Sequence, residues 1–315
     1  MRVSLAFLVL TAACAPRVPD VSLDADASWS VDRDALPVVP LRVLHSADFA
    51  FDARQVAAGG KGGASRGFTS VTLLQHPDHP PVLIDAGYGS STMGDEPSYP
   101  SRFVRRILDL KLHRTIAEAL PEVGLAPEDI AEVYVTHLHH DHVGGVEDLP
   151  SAVLRGDARE WVEGRGKVGA LSGYEPEPYA DRTFAPVLFD DGPVGPVPRS
   201  ADVFGDGTLI ALPAPGHTLG HVMYLVNQPE GSWLFAGDAA WVDANWADGP
   251  RPKGWTARTL VEADWKRGVE ALAALRWFAD RGVIVVSGHE PANVERLSSW
   301  PEPLDWAATA EAVGL

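Results

Sequence analysis

The sequence contains one cysteine, Cys14, in 315 residues. A single cysteine cannot form an internal disulfide, and it excludes a four-cysteine zinc or iron–sulfur site. Any metal bound by this chain must therefore be held by histidine and carboxylate side chains. Basic residues are also scarce, since 26 Lys and Arg stand against 43 Asp and Glu and the formal net charge is −17. This charge repels the phosphate backbone that dominates nucleic-acid affinity, so we expect no nucleic-acid partner.

No apolar run in the sequence reaches the roughly 20 residues that span a bilayer. The run at residues 3–10 follows Arg2 and precedes small residues, which is typical of a secretory signal peptide. Residues 10–14 also resemble a bacterial lipoprotein signal, in which cleavage leaves the cysteine as a lipid-modified N-terminus. We therefore predict a signal peptide over residues 1–13 and membrane attachment only through a lipid on Cys14, in the periplasm or at the outer membrane. The alternative is a buried cysteine near an ordinary cleavage site.

Composition divides the rest of the chain into two parts. Pro, Asp and Ala dominate residues 15–40, which is the composition of a flexible tether, and we predict a lipid-anchored tether over residues 14–40. One folded domain is predicted over residues 41–315, where short β-type runs alternate with helical patterns. The fold class is therefore α/β or α+β with substantial sheet. The predicted strands cover residues 41–45, 70–74, 82–84, 132–136, 208–212, 222–226, 233–235 and 283–286.

Local signals predict two helices and one long loop. Thr115 with Glu118 suits a capping box at the start of one helix. A second helix is predicted to start at Thr259 and Glu262, because apolar residues then recur on one face. Repeated prolines over residues 174–198 predict an irregular loop.

The strongest chemical signal is a cluster directly after the predicted strand 132–136. Four histidines and an aspartate lie within six residues, which packing explains poorly: His137, His139, His140, Asp141 and His142. Histidines two apart in an extended segment face the same side, so His137 and His139 can hold one cation. The following turn can bring Asp141 and His142 to another, with His140 pointing away. The alternative is a solvated histidine-rich loop.

Three further segments each place a potential ligand beside a glycine at the end of a predicted strand. They contain Gly216-His217, Gly237-Asp238 and Gly288-His289. A rigid scaffold presents groups to a shared cleft from such positions, so these segments support a metal site.

With these segments in this order, residues 41–300 resemble the metallo-β-lactamase-fold hydrolase superfamily. The resemblance implies a four-layer αββα sandwich whose active site lies along one edge of two sheets. It implies a first metal on His137, His139 and His217, a second on Asp141, His142 and His289, and a bridging Asp238. It also suggests that Asp85 orients a ligand histidine, the alternative being an ordinary turn aspartate.

The resemblance implies two zinc ions as cofactors, although imidazole also suits iron, cobalt and manganese. Paired ions about 3.5–4 Å apart lower the pKa of a shared water and polarise a carbonyl or phosphoryl oxygen. The expected reaction is attack of metal-bound hydroxide on a small-molecule lactone or ester, with Asp141 and Asp238 as catalytic carboxylates. Asp141 is the natural proton shuttle toward the leaving group.

Within the superfamily, the sequence is most similar to the N-acyl homoserine lactonase branch. The two share the Gly-His-Thr-x-Gly-His element at Gly216, the Gly-Asp-Ala-Ala stretch at Gly237 and the late Gly-His-Glu. Trp241 departs from this branch, in which a tyrosine hydroxyl hydrogen-bonds the lactone carbonyl oxygen. We keep Trp241 as the third candidate catalytic residue, beside Asp141 and Asp238. Its indole N–H can donate a hydrogen bond but cannot accept one.

Three alternatives stay open: a phosphotriesterase-like hydrolase, a β-lactamase-like hydrolase, and a single-iron sulfur oxygenase that leaves the second ligand set unused. The sequence also leaves the oligomeric state open. Trp241, Trp246 and Trp255 either line an apolar pocket or pack their loop, whereas Phe103, Ile107 and Leu110 are expected in the core.

Overall fold

The computed structural model describes residues 16–24, 26–60, 62–93, 97–166 and 172–315. The predicted signal peptide and Cys14 lie outside these ranges and stay predictions. Within them, none of the helices combines the length and the apolar character that crossing a membrane requires.

The described residues form twelve strands. They are β1 (Leu41–Asp52), β2 (Ala64–Leu74), β3 (Val82–Ile84), β4 (Lys111–Leu112), β5 (Glu132–Tyr134), β6 (Val153–Gly156), β7 (Phe184–Pro186), β8 (Ala201–Asp202), β9 (Leu209–Pro213), β10 (Val222–Asn227), β11 (Ser232–Gly237) and β12 (Val283–Ser287). A seven-stranded sheet has the order β4-β1-β2-β3-β5-β6-β7, and a five-stranded sheet has the order β12-β11-β10-β9-β8. Every predicted strand occurs, with ends that differ by a few residues except in β1 and β2, which are much longer.

Nine α-helices occur in the described part of the chain, of which the last two follow the last strand. They are α1 (Ala53–Val56), α2 (Arg102–Ile107), α3 (Ile116–Ala119), α4 (His140–Val143), α5 (Ala158–Gly166), α6 (Trp255–Leu260), α7 (Trp265–Ala279), α8 (Asn293–Arg296) and α9 (Trp306–Val313).

Side-chain alternation along the strands builds the four layers. Val82 and Ile84 of β3 join the core between the two sheets, while Leu83 between them joins a second core on the outer face of the seven-stranded sheet. Successive strand residues point to opposite faces, so both faces of such a strand are covered. A third core places Leu272 and Leu275 of α7 on the five-stranded sheet. The layers are therefore helix, sheet, sheet and helix, as predicted.

The first predicted helix starts as expected. The main-chain N–H of Thr115 donates to the Glu118 carboxylate (2.9 Å), and the N–H of Glu118 donates to the Thr115 hydroxyl (3.3 Å), which forms the predicted capping box. Gly124 adopts φ 74° after the 3-10 turn that extends α3, a conformation that favours glycine.

The predicted start of the second helix is wrong. Thr259 lies inside α6, and α7 begins only at Trp265. The Asp264 carboxylate accepts from the main-chain N–H of Arg267 (3.2 Å) and so provides the N-cap. Glu262 cannot serve there because its side chain contacts His217 and Lys253.

Two further boundaries differ from the prediction. β7 lies within the proline-rich stretch 174–198 as the edge strand of its sheet, a position where a proline such as Pro186 removes no interior hydrogen bond. Upstream of the predicted domain start, Arg33 donates to the carbonyl of Gln228 (2.6 Å) and Val39 is buried. The packed part of the chain therefore begins before residue 41.

We expect Leu275→Ala to lower the free energy of unfolding by about 2–5 kcal/mol, because it removes a fully buried side chain between α7 and the sheet. Leu188 is the matched control, being 68% exposed, and its replacement by alanine should change stability by less than about 0.5 kcal/mol. Urea denaturation measures both, and equal losses would contradict this packing.

Candidate metal centre

The candidate ligands lie where strands of both sheets end. β3 and β5 run parallel in one sheet, and β11 and β12 run parallel in the other. Parallel strands present their carboxyl ends at the same edge of a sheet. The main-chain N–H of Val222 donates to the carbonyl of Thr136 (2.9 Å), which joins the two sheets beside these ends. The segments after β3, β5, β9, β11 and β12 supply the candidate site residues: Asp85, His137, His139, Asp141, His142, His217, Asp238 and His289.

The structure brings four of the predicted ligands into one group, which we call the first ligand group: His137, His139, His217 and Asp238. Their donor atoms lie within 4.8 Å of one another, and all four side chains are buried. Nε2 of His217 lies 3.1 Å from Nδ1 of His139 and 3.2 Å from Oδ2 of Asp238. Imidazole and carboxylate in such a group can hold one divalent cation.

The second ligand group consists of Asp141, His142 and His289, whose donor atoms also lie within 4.8 Å of one another. Oδ1 of Asp238 faces this group, at 3.3 Å from Nε2 of His142 and 3.0 Å from Nε2 of His289. One oxygen of Asp238 therefore faces each group, which is the geometry of a bridging carboxylate.

Hydrogen bonds on the far side of the rings fix how three of the histidines face the centre. Nδ1 of His289 lies 2.9 Å from the carbonyl oxygen of Phe68, and Nδ1 of His142 lies 2.8 Å from Oδ2 of Asp85. Nδ1 of His217 lies 3.2 Å from the Glu262 carboxylate. Because these oxygens accept, each Nδ1 carries a hydrogen, which leaves Nε2 as the ring atom that can bind a metal at the centre.

Asp85 occupies the position that the resemblance suggests. Its carboxylate accepts from the main-chain N–H (2.7 Å) and the hydroxyl (2.9 Å) of Thr136 as well as from His142. The Thr136 hydroxyl in turn lies 3.0 Å from Nδ1 of His137 and can accept its hydrogen. One aspartate thus orients ligands of both groups, which an ordinary turn aspartate would not do.

Burial and charge set the protonation states. Burial holds the pKa of His137 and of His139 well below the usual value, so both rings are neutral and able to bind a metal. Burial alone would raise the pKa of Asp238. The nearby His289 and His142 outweigh burial, so the pKa of Asp238 lies well below the usual range. For His142, burial is likewise outweighed by the carboxylates of Asp141 and Asp85, which raise its pKa.

Several atoms of the ligand groups have no hydrogen-bond partner within the described ranges and are therefore suited to bind a cation. Among the described residues, Nε2 of His137, Nε2 of His142 and Oδ1 of Asp238 are buried and have no hydrogen-bond partner. Buried polar atoms in proteins are nearly always paired, and leaving them unpaired is costly. All three point into the two ligand groups, so divalent ions there would satisfy them.

Two buried residues of the site were missed in the sequence. Glu262 was placed at a helix start, yet it contacts His217, and Lys253 binds both Glu262 and the main-chain carbonyl of Asp238 (2.7 Å). Burial alone would raise the pKa of Glu262, but the Lys253 charge and the His217 hydrogen bond lower it to about 2. Neither residue belongs to a motif, so only the folded chain reveals the pair.

The other residues singled out in the sequence lie outside the two ligand groups. The indole N–H of Trp241 donates to Oδ2 of Asp238 (2.7 Å), so it is engaged by a ligand rather than left free for a substrate carbonyl. His140 belongs to neither ligand group and packs near Tyr88, with ring centroids 5.6 Å apart. Trp246 packs against the core of the five-stranded sheet, which favours the packing interpretation for this tryptophan.

Three of the aromatic and apolar side chains singled out in the sequence are exposed. Trp255 is 59% exposed, and Phe103 and Ile107 are 55% and 54% exposed. The expectation that Phe103 and Ile107 lie in the core is therefore wrong, whereas Leu110 is partly buried against a small core cluster. α2 has only six residues, and its one buried residue is Val104.

Comparison with known proteins agrees with this geometry. Residues 64–289 match the Metallo-beta-lactamase superfamily, and the chain belongs to that superfamily. Its members in these comparisons include metal-dependent hydrolases, and this chain is a metal-dependent hydrolase of the same fold.

Three similar proteins illustrate the relationship. The chain is 32% identical to "N-acyl homoserine lactonase AttM" of Rhizobium johnstonii over 246 residues, which cover 73% of this chain and 84% of the relative. A crystal structure of a B. thuringiensis AiiA variant with N-decanoyl-L-homoserine at the active site matches with a TM-score of 0.67 at 19% identity, covering 85% of this chain and 100% of that one. AidC, described as a dizinc quorum-quenching lactonase, matches with a TM-score of 0.55 at 15% identity, covering 80% and 88%.

We expect Asp85→Asn to weaken zinc binding roughly 10- to 100-fold, because the amide cannot accept from Thr136 and His142 as the carboxylate does. Zinc affinity would be measured by competition with a chromophoric chelator. Asp206→Asn is the matched control, since Asp206 bonds His76 (2.9 Å) and neither residue belongs to a ligand group. Equal zinc affinity in the two variants would contradict the role of Asp85.

Proposed function

We propose that this protein is a dinuclear zinc hydrolase that opens small-molecule lactones, with N-acyl homoserine lactones as the leading substrate class. The observation that carries the proposal is the position of Asp238, which has one carboxylate oxygen directed at each ligand group. A carboxylate shared in this way suits two ions side by side.

The proposal assigns a role to each group of residues. His137, His139 and His217 would hold one zinc ion, Asp141, His142 and His289 a second, and Asp238 both. When bound, the paired ions would supply a water nucleophile at neutral pH and polarise the substrate carbonyl. The single-iron alternative is less well supported, because it leaves unused a second ligand group that is complete among the described residues.

Asp141 is suited to move the proton. Its side chain is 14% exposed, more than that of Asp238 at 5%, so substrate can reach it. Burial opposes its ionisation, but His142 and His140 outweigh burial and lower the pKa of Asp141, which keeps it a carboxylate. As a carboxylate it can accept a proton from the attacking water and deliver it to the leaving alkoxide.

A cavity of about 90 Å³ adjoins His217, and its walls mix polar side chains such as Glu163 and Thr218 with apolar ones such as Leu260 and Val261. The similarity to AttM lactonase supports an acyl lactone as the substrate.

The deciding experiment uses the zinc-loaded full chain with N-hexanoyl homoserine lactone, following proton release in a pH-stat. We expect the parent protein to hydrolyse the lactone. His137→Ala removes a metal ligand itself, so it should reduce turnover by more than the roughly 10- to 100-fold that loss of a ligand's hydrogen-bond partner costs. Leu188→Ala, an exposed residue, is the control for handling and should keep full activity. A protein that retains two zinc ions per chain without lactone turnover would refute the lactonase assignment, and phosphotriesters and β-lactams would then be tested.

A further inference from the structure

A buried ion pair lies directly behind the first ligand group. The side chains of Lys253 and Glu262 are 4% and 5% exposed, and they contact each other. The adjoining cavity measures about 10 Å³ and is lined by both residues together with His217. Such a volume holds about one water, so the pair interacts in an almost dry environment. Removing one partner of a buried pair leaves an uncompensated buried charge and is strongly destabilising, so we expect the two side chains to stay paired.

The two residues reach two different ligands. Glu262 accepts the hydrogen of His217 Nδ1 (3.2 Å), which directs Nε2 of that ring toward the centre. The Lys253 ammonium donates to the main-chain carbonyl of Asp238 (2.7 Å) while it contacts Glu262. One ammonium group therefore links the partner of His217 to the backbone of Asp238, although these ligands come from separate loops.

Trp241 completes the connection on the other side of Asp238. Its indole N–H donates to Oδ2 of Asp238 (2.7 Å), the same oxygen that lies 3.2 Å from Nε2 of His217. Its ring also receives the Lys253 ammonium, 5.1 Å from the ring centroid, in a cation–π contact. Because the indole hydrogen is already engaged, Trp241 acts on a ligand instead of on a substrate carbonyl.

We propose that Trp241, Lys253 and Glu262 form one positioning unit, which fixes His217 and Asp238 relative to each other and so determines how tightly the first ligand group holds its metal. This inference rests on the proposed metal-dependent function, but it concerns residues that no ligand motif contains. Trp241 is thereby a positioning residue, since it contacts a ligand and the ion pair.

The test measures zinc affinity by chelator competition in the full chain, without any lactone. Trp241→Phe keeps an aromatic side chain and removes the indole N–H, and we expect it to weaken zinc binding roughly 10- to 100-fold. Glu262→Gln should weaken zinc binding in the same direction. The double variant should lose less than the product of the two single losses, because both act on one pair of ligands.

Trp246→Phe is the matched control, because its indole N–H donates to the hydroxyl of Ser287 (2.9 Å) and to neither ligand group. It should keep the zinc affinity of the parent protein. If Glu262→Gln fails to fold, Trp241→Phe still decides, since it leaves the ion pair intact. Zinc affinity within twofold of the parent in Trp241→Phe, or an equal loss in Trp246→Phe, would overturn the proposal. Failure of lactone turnover alone would not affect it, because zinc binding is measured independently.

Discussion

The arrangement of the site depends on the carboxylate of Asp238. Its two oxygens face two groups of ligands that come from both sheets, at 3.2 Å from His217 on one side and 3.0 Å from His289 on the other. Asp238 directly follows Gly237, which adopts φ 48° and approaches Thr136 so closely that a Cβ would lie 2.7 Å from the threonine Cβ. Only glycine suits this conformation and contact, and so β11 can deliver the aspartate to the edge where β5 ends.

The two ligand groups around Asp238 consist mostly of buried polar side chains. Burying imidazole and carboxylate without partners is unfavourable, and the fold places hydrogen-bond partners on the outer side of the rings of His142, His217 and His289. The inward atoms of His137 and His142 have no hydrogen-bond partner among the described residues. Divalent ions would satisfy them, so binding free energy would add to the stability of the folded chain. Because carboxylates raise the pKa of His142, metal uptake there would also release a proton.

Much of this could be read from the sequence because the signals are local. β-type runs identified the central strands, and the spacing of His137, His139, Asp141 and His142 directly after one of them indicated the ligand groups. β4, β6, β7 and β8 were missed because strands of two to four residues carry little periodicity. Distant ligands were found only because each stands beside a glycine at a strand end.

Two of the three positioning residues, Lys253 and Glu262, could not be found in this way. Glu262 carries a helix-start signal, and Asp264 two residues later provides the actual cap. Lys253 in a Pro-Lys-Gly turn resembles any surface lysine, yet only 4% of its side chain is exposed. Their roles arise from contacts between loops far apart in sequence, which no local pattern encodes.

The central claim is that Asp238 is shared by two metal ions, and anomalous diffraction at the zinc edge from zinc-soaked crystals tests it most directly. We predict two peaks, each with ligand atoms at about 2.0–2.2 Å. One peak should lie among His137, His139 and His217, the other between His142 and His289, with one Asp238 oxygen on each. A single peak, or two peaks with both Asp238 oxygens on one ion, would contradict the account.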